Sequence, residues 1–136
     1  MEKIKVETLI SAPVSKVWEC WTLPEHIVCW NFASTDWHCP EATNDLRPGG
    51  KFNYTMASRD GEMSFGFEGI YDVVDRPNRI AFTLMDGRKV EIDFKEVDGK
   101  TRVTEVFEAE SMNAPELQRA GWQSILDNFK IHVDKV

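Results

Sequence analysis

Apolar and polar residues alternate over the first ten positions: Ile4, Val6, Thr8 and Ile10 fall on one side, Lys3, Lys5 and Glu7 on the other. That is the period of a half-buried strand. The period changes at Ser11-Ala12-Pro13, which offers a capping hydroxyl and a first-turn proline. Val14, Val17, Trp18 and Trp21 follow at helical spacing and predict a helix over 13–22. A second short helix is predicted over 24–30, with Ile27 and Trp30 inward. From Trp37 the pattern becomes strand and turn. Phe52, Tyr54 and Met56 alternate with polar neighbours, and after Arg59-Asp60-Gly61 a long strand puts Met63, Phe65, Phe67, Gly69, Tyr71 and Val73 on one face. Turns at 75–78, Asp86-Gly87 and Asp98-Gly99 separate three more inward rows: Ile80, Phe82 and Leu84; Val90, Ile92 and Phe94; Val103, Glu105 and Phe107.

The chain then returns to helix over 115–134, where Trp122, Ile125, Leu126, Phe129, Val133 and Val136 recur every three or four residues and Gln123, Asp127, Lys130 and Asp134 take the other side. The pattern predicts an α+β fold: an antiparallel meander of about seven strands with one wet face, and a long amphipathic helix. Sheet and helix must cover one another, because nothing else in the chain is apolar enough to do so. No linker or internal repeat interrupts residues 1–136, which read as a single domain.

Composition sharpens this in three ways. Five Trp and eight Phe among 136 residues are many for one small domain, and stiff rings in such number imply a bulky core or an aromatic-lined cavity. A net charge of −7 with scattered Lys and Arg gives no basic patch for a nucleic-acid backbone or an anionic membrane, so neither is an expected partner. The N-terminus lacks the apolar run of a signal peptide and no later run would span a bilayer, which places the protein in the cytoplasm. Three cysteines, Cys20, Cys29 and Cys39, suit reduced thiols there better than a disulfide framework.

Four segments in order, SAPVSKVW (11–18), Trp37 to Phe52 ending in DLRPGGKF, FEGIYDVVDRPNR (67–79) and Gly121-Trp122 with Leu126, resemble the family named for the activator of the ninety-kilodalton heat-shock chaperone's ATPase, within the START-like, helix-grip superfamily. The resemblance implies a curved sheet gripping a long C-terminal helix, with two short helices after strand one and a cavity between helix and sheet. It also implies a stress-response setting and a chaperone ATPase as a rival partner. Members of that superfamily include lipid and hormone binders, cyclases and co-chaperones, so the fold does not by itself assign an activity.

Candidate chemistry divides into sites the pattern supports and sites it does not. DLRPGGKF has the look of a phosphate loop, but such loops feed a helix N-terminus and this one feeds a strand. Pro48 and Gly49 at the middle of a four-residue turn make a type II pattern, with Asp45 and Arg47 as a pair beside it. His26-x-x-Cys29 and His38-Cys39 supply four metal-ligand types, yet strand neighbours point to opposite faces, so His38 and Cys39 would need a bulge to share an ion. No metal and no cofactor is expected. No Gly-x-Ser-x-Gly or activated cysteine is present, so no catalytic residue is assigned.

Binding of a small apolar or amphipathic molecule between sheet and helix is the leading reading. The ligand-binding candidates are Trp30, Trp37, Tyr54, Phe65, Phe67 and Trp122, with Leu126 from the helix stripe and Glu105 as the polar member. Glu105 follows from alternation: Arg102, Thr104 and Glu108 mark the outer face, so Glu105 must turn inward with Val103 and Phe107. The alternatives are a co-chaperone-like interaction domain and a cyclase- or hydrolase-like use of the same cavity, the latter requiring a buried acid or base with a displaced pKa.

Overall fold

The computed structural model describes residues 2–136. Its elements run β1 (Lys3–Ile10), α1 (Val14–Thr22), α2 (Pro24–Trp30), β2 (Trp37–Asn44), β3 (Lys51–Ser58), β4 (Ser64–Asp75), β5 (Arg79–Leu84), β6 (Lys89–Val97), β7 (Lys100–Glu108) and α3 (Pro115–Lys135). All seven strands form one curved antiparallel sheet in the order β1-β7-β6-β5-β4-β3-β2. Strands two to seven are a plain meander. β1 and β2 lie at opposite edges, so α1 and α2 carry the chain from one edge to the other, and α3 returns to pack beside β1.

The predicted elements are present, and the differences are local. Ser11 does not cap α1: Pro13 is the N-cap residue and no side chain closes that end. The Thr101 hydroxyl instead donates to the Ala12 carbonyl at 2.8 Å, tying the start of the helix to β7. In β4 the strict alternation fails after Tyr71. Tyr71 pairs with Phe82 and Val73 with Ala81, so Asp72 is an extra residue opposite none. This β-bulge turns Val73 outward, 39% exposed, and brings Val74 against the core in its place. Met63 lies before the strand and is exposed, and Val136 lies beyond the last turn of α3 and is exposed.

DLRPGGKF is a turn. The Gly50 N–H donates to the Arg47 carbonyl at 2.8 Å and Gly49 has φ 82°, which a residue with a Cβ resists. The amides a phosphate would need are already engaged: Gly49 N–H donates to the Tyr71 carbonyl at 2.8 Å, and Tyr71 N–H returns a bond to the Gly50 carbonyl at 2.9 Å. Asp45 and Arg47 pair at 3.0 Å but are both largely solvated, so the pair contributes little.

The core lies between the inner sheet face and the helices. Ile4, Ile10, Ile92, Val103 and Phe107 from the sheet meet Leu126, Phe129 and Val133 from α3, all essentially without solvent contact. At one point the backbone itself is part of the packing. The ring of Phe52 covers Gly69 on the neighbouring strand so closely that a Cβ there would lie 2.7 Å from the ring and 2.8 Å from the Thr83 carbonyl oxygen. Gly121 is the opposite case, a helical glycine with open space where its Cβ would stand.

Two alanine substitutions should therefore move stability in opposite directions. Gly69→Ala is expected to cost about 1–3 kcal/mol through overpacking. Gly121→Ala is expected to stabilise by about 0.5–1 kcal/mol, because alanine loses less backbone freedom in a helix. Urea unfolding of the two variants checks both signs.

Candidate functional site

A cavity of about 330 Å³ lies between the sheet and the N-terminal half of α3. The long rows of inward aromatics produce it. Tyr54 on β3, Phe67 and Tyr71 on β4 and Phe82 on β5 present rings from one side, Trp122 and Ile125 on α3 face them, and Trp21 on α1 and Trp30 on α2 complete the apolar wall. The rings brace one another. Trp122 stacks on Phe107 with centroids 3.8 Å apart and planes at 9°, and meets Phe67 edge-on at 6.1 Å. Trp21 and Trp30 are 4.9 Å apart, and both contact Phe129 edge-on. Stiff rings held this way cannot collapse into the remaining space.

Besides Asn31, just after α2, polar groups enter the cavity at three places. Glu105 is buried, and its cross-strand partners on both sides are apolar, Val6 on β1 and Ile92 on β6. Burial alone pushes its carboxyl up to about 8, so it is a neutral hydrogen-bond donor at neutral pH. The second place is a phenol pair. The Tyr71 hydroxyl donates to Asn44 Oδ1 at 2.6 Å and lies 3.4 Å from the Tyr54 hydroxyl, while Asn44 Nδ2 donates to the Thr22 carbonyl at 2.7 Å. Burial raises both phenols, Tyr71 to about 12, so they too stay neutral. The third place is a polar rim of Arg88, Glu110, Asn113 and Gln118. Gln118 organises it, donating to the Glu110 and Asn113 carbonyls at 3.0 and 2.8 Å and accepting from Glu110 N–H at 2.9 Å.

Of the residues expected to bind ligand, Trp30, Tyr54, Phe65, Phe67, Glu105 and Trp122 face this cavity, with Phe65 half-exposed at its edge. Leu126 and Trp37 do not. Leu126 lies one turn past Trp122, where α3 has closed onto the sheet, and is fully buried in the core. Trp37 packs edge-on against Phe65 at 5.8 Å. The alternation already placed Tyr71 and Phe82 on the inner face, and they belong in the set. Trp21 was legible only as a core helix residue, and the rim residues come from a turn, a loop and a helix start, where no periodic signal marks them.

The four ligand types weighed for a metal do not converge among the described residues. The bulge that His38 and Cys39 would need is present in β2, between His38 and Glu41. Even so, Cys39 donates to the Glu41 carbonyl at 3.5 Å, and burial raises its thiol to about 11. Cys29 is exposed and bonded to the Glu25 carbonyl at 3.4 Å.

A family model described as "Activator of Hsp90 ATPase homolog 1-like protein" matches residues 11–134. The chain belongs to that family. The fold agrees: an AHSA1-like protein from Aeromonas hydrophila solved by NMR is 42% identical, with a TM-score of 0.93 over 98% of this chain and 93% of that one. Chr148 from Cytophaga hutchinsonii is 47% identical, with a TM-score of 0.85 over 98% and 92%. NE0264 from Nitrosomonas europaea, at 21% identity and a TM-score of 0.83 over 98% and 94%, shares the fold. No curated protein matches the chain. No helix among the described residues is long and apolar enough to cross a membrane.

Glu105 generates a pH dependence whose sign can be worked out. Unfolded, its carboxyl titrates near 4.5; folded, near 8. Below 4.5 both states hold the proton and nothing is lost. Between 4.5 and about 8 only the folded state holds it, so stability falls as pH rises, by several kcal/mol in total. Melting temperature measured across that window should decline more steeply in the native protein than in Glu105→Gln. Parallel curves would show the carboxyl to be solvated.

Proposed function

We propose that the protein binds a small amphipathic molecule in the cavity between its sheet and α3. The observation that carries this reading is a buried carboxyl with apolar cross-strand neighbours, facing an aromatic-walled space of about 330 Å³. That volume is within the range of small-ligand pockets, and a few convergent polar groups in an apolar wall are how such pockets fix orientation. A neutral carboxylic acid with no hydrogen-bond partner among the described residues is a group that costs stability until something accepts its hydrogen bond. The START-like relatives, which often bind hydrophobic ligands, support the same reading. The ligand's apolar body would lie against Phe67, Tyr71, Phe82 and Trp122. Its acceptor, a carbonyl, ether or hydroxyl oxygen, would meet Glu105, and a second polar end would reach the Gln118 rim. Such a ligand needs no cofactor.

The rival readings draw on the same residues differently. A co-chaperone role has the family's name behind it and would use a surface outside the cavity. Cyclase- or hydrolase-like chemistry would use Glu105 as its acid, since its raised pKa suits proton donation near neutrality.

Titrating ¹⁵N-labelled protein with a library of lipids and polyphenols is expected to shift Trp122 and its cavity neighbours. The same ligands should raise the melting temperature, because a ligand at 100 times its Kd stabilises the folded state by about 2.7 kcal/mol. Glu105→Gln and Glu105→Leu should keep or gain stability while binding about tenfold more weakly. Shifts confined to the outer sheet face would overturn the assignment.

A further inference from the structure

At the C-terminal end of α3, three helices bring together a cysteine of the core and two histidines that neither the cavity nor the core accounts for. Cys20 is in the last turn of α1, His26 in the first turn of α2 and His132 in the last turn of α3. His26 Nδ1 and His132 Nε2 are 2.8 Å apart, although the residues are 106 apart in sequence. Cys20 Sγ completes the group, with all three ligand atoms within 4.8 Å of one another. Cys20 is buried and both imidazoles are half-buried, which leaves an open side toward solvent. Cys29 and Cys39 each give their S–H to a carbonyl, whereas the Cys20 thiol has no hydrogen-bond partner among the described residues.

We propose that Cys20, His26 and His132 form a three-ligand site for a borderline-soft transition metal, zinc(II) being the natural occupant. Two imidazoles and a thiol suit zinc and its neighbours and reject the hard ions magnesium and calcium, which require oxygen ligands. The geometry is close to what zinc asks. Bonds of about 2.0–2.1 Å to nitrogen and 2.3 Å to sulfur at tetrahedral angles set N···N near 3.3 Å and N···S near 3.5 Å. To reach those spacings the imidazole pair opens by about half an ångström from 2.8 Å and the thiol closes on it from within 4.8 Å. Binding releases the thiol proton to solvent, and the proton shared between His26 Nδ1 and His132 Nε2 passes by exchange with solvent to the other nitrogen of the donating ring, so that both facing nitrogens bind the metal and each imidazole stays neutral. Water takes the fourth position on the open side.

The backbone that carries the ligands is already fixed. Trp30 Nε1 donates to the Cys20 carbonyl at 2.9 Å, joining α2 to α1. Phe129, one turn before His132, packs against both Trp21 and Trp30, and Asn128 Nδ2 donates to the Phe32 carbonyl at 2.6 Å. A site held by three such anchors loses little freedom on binding. Of the nearby charges, Lys16 and Lys135 oppose a bare dication; Glu19 and the thiolate itself offset them. The sequence hides this site because its ligands are single residues on three helices, without the short paired spacing that marks structural zinc.

Untagged full-length protein dialysed against zinc(II) should retain one equivalent per chain. Cobalt(II) should give tetrahedral d–d bands with a thiolate-to-metal charge-transfer band. Cys20→Ser should abolish that charge-transfer band, and His26→Gln and His132→Gln should each weaken zinc binding about tenfold or more. Cys29→Ser should change neither. Because Cys20 is buried, circular dichroism checks each variant's fold, and the half-buried His132→Gln carries the test if Cys20→Ser does not fold. Absence of a charge-transfer band in the native protein, unaltered zinc affinity in His132→Gln, or loss of the band in Cys29→Ser would each overturn the proposal.

Discussion

The structure depends on how a nearly straight helix meets a curved sheet. Leu126, Phe129 and Val133 recur at helical spacing and are fully withdrawn from solvent against the inner face. At about 1.5–3 kcal/mol for each such side chain, this half of α3 holds the two layers together. The sheet curves away beneath the other half. Trp122 and Ile125 are only partly buried, Trp122 reaching the sheet by stacking on Phe107, while Gln118 in the first turn bonds to the β7–α3 connection at Glu110 and Asn113. One element thus closes the core at one end and leaves a cavity at the other. The cavity is the space that remains when a rod covers a curved surface.

Aromatic residues keep that space open. Aliphatic side chains have rotamers with which to fill a void, but a ring pinned edge-on by two neighbours has few. Phe52, on the same inner face as Tyr54, contacts Tyr54, Tyr71 and Phe82 and also covers Gly69, so the β3–β4–β5 wall is braced along its face from the core side. Placing Glu105 in such a wall works against stability. Its carboxyl has two apolar neighbours where Val, Ile or Leu would satisfy the strand, and folding must keep it protonated to tolerate it. A local choice that conflicts with the fold around it is the kind that accompanies a binding site.

The fold was legible because each element repeats its own period many times. Eight positions of β1 and six turns' worth of α3 leave little room for another reading. The site was legible only where it shared that period: Glu105, Tyr54, Phe67 and Trp122 follow from alternation or helical spacing. What alternation cannot reveal is a change of phase. The extra residue at Asp72 exchanges Val73 for Val74, and the bulge after His38 reorients the start of β2, yet neither has a composition that announces it. Leu126 shows the complementary limit: facing the sheet is not the same as facing the cavity, and only the rise of α3 away from the sheet separates the two. Arg88 and Glu110 lie in segments without any period, and Gln118 precedes the apolar stripe of α3 that begins at Trp122, so their convergence is a property of the closed topology alone.

The two ends of α3 are linked by a shared wall. Trp21 and Trp30 line the cavity on one side, while Trp30 holds the Cys20 carbonyl and both rings pack on Phe129, one turn from His132. The Asn44 amide adds a polar strut from Tyr71 in the cavity to the Thr22 carbonyl at the end of α1. Contiguity of this kind is not by itself coupling; energy passes between sites only through an element with two arrangements that each ligand biases. The most constrained part of this wall is the Trp21–Trp30–Phe129 cluster, in which each ring contacts the other two. The N-terminal half of α3 is held more lightly, by the stacking of Trp122 on Phe107 and by the rim hydrogen bonds of Gln118, with Trp122 and Ile125 only partly buried. The two halves of α3 therefore differ in how they are held: Leu126, Phe129 and Val133 fix the closed end by full burial, and the open end borders the cavity.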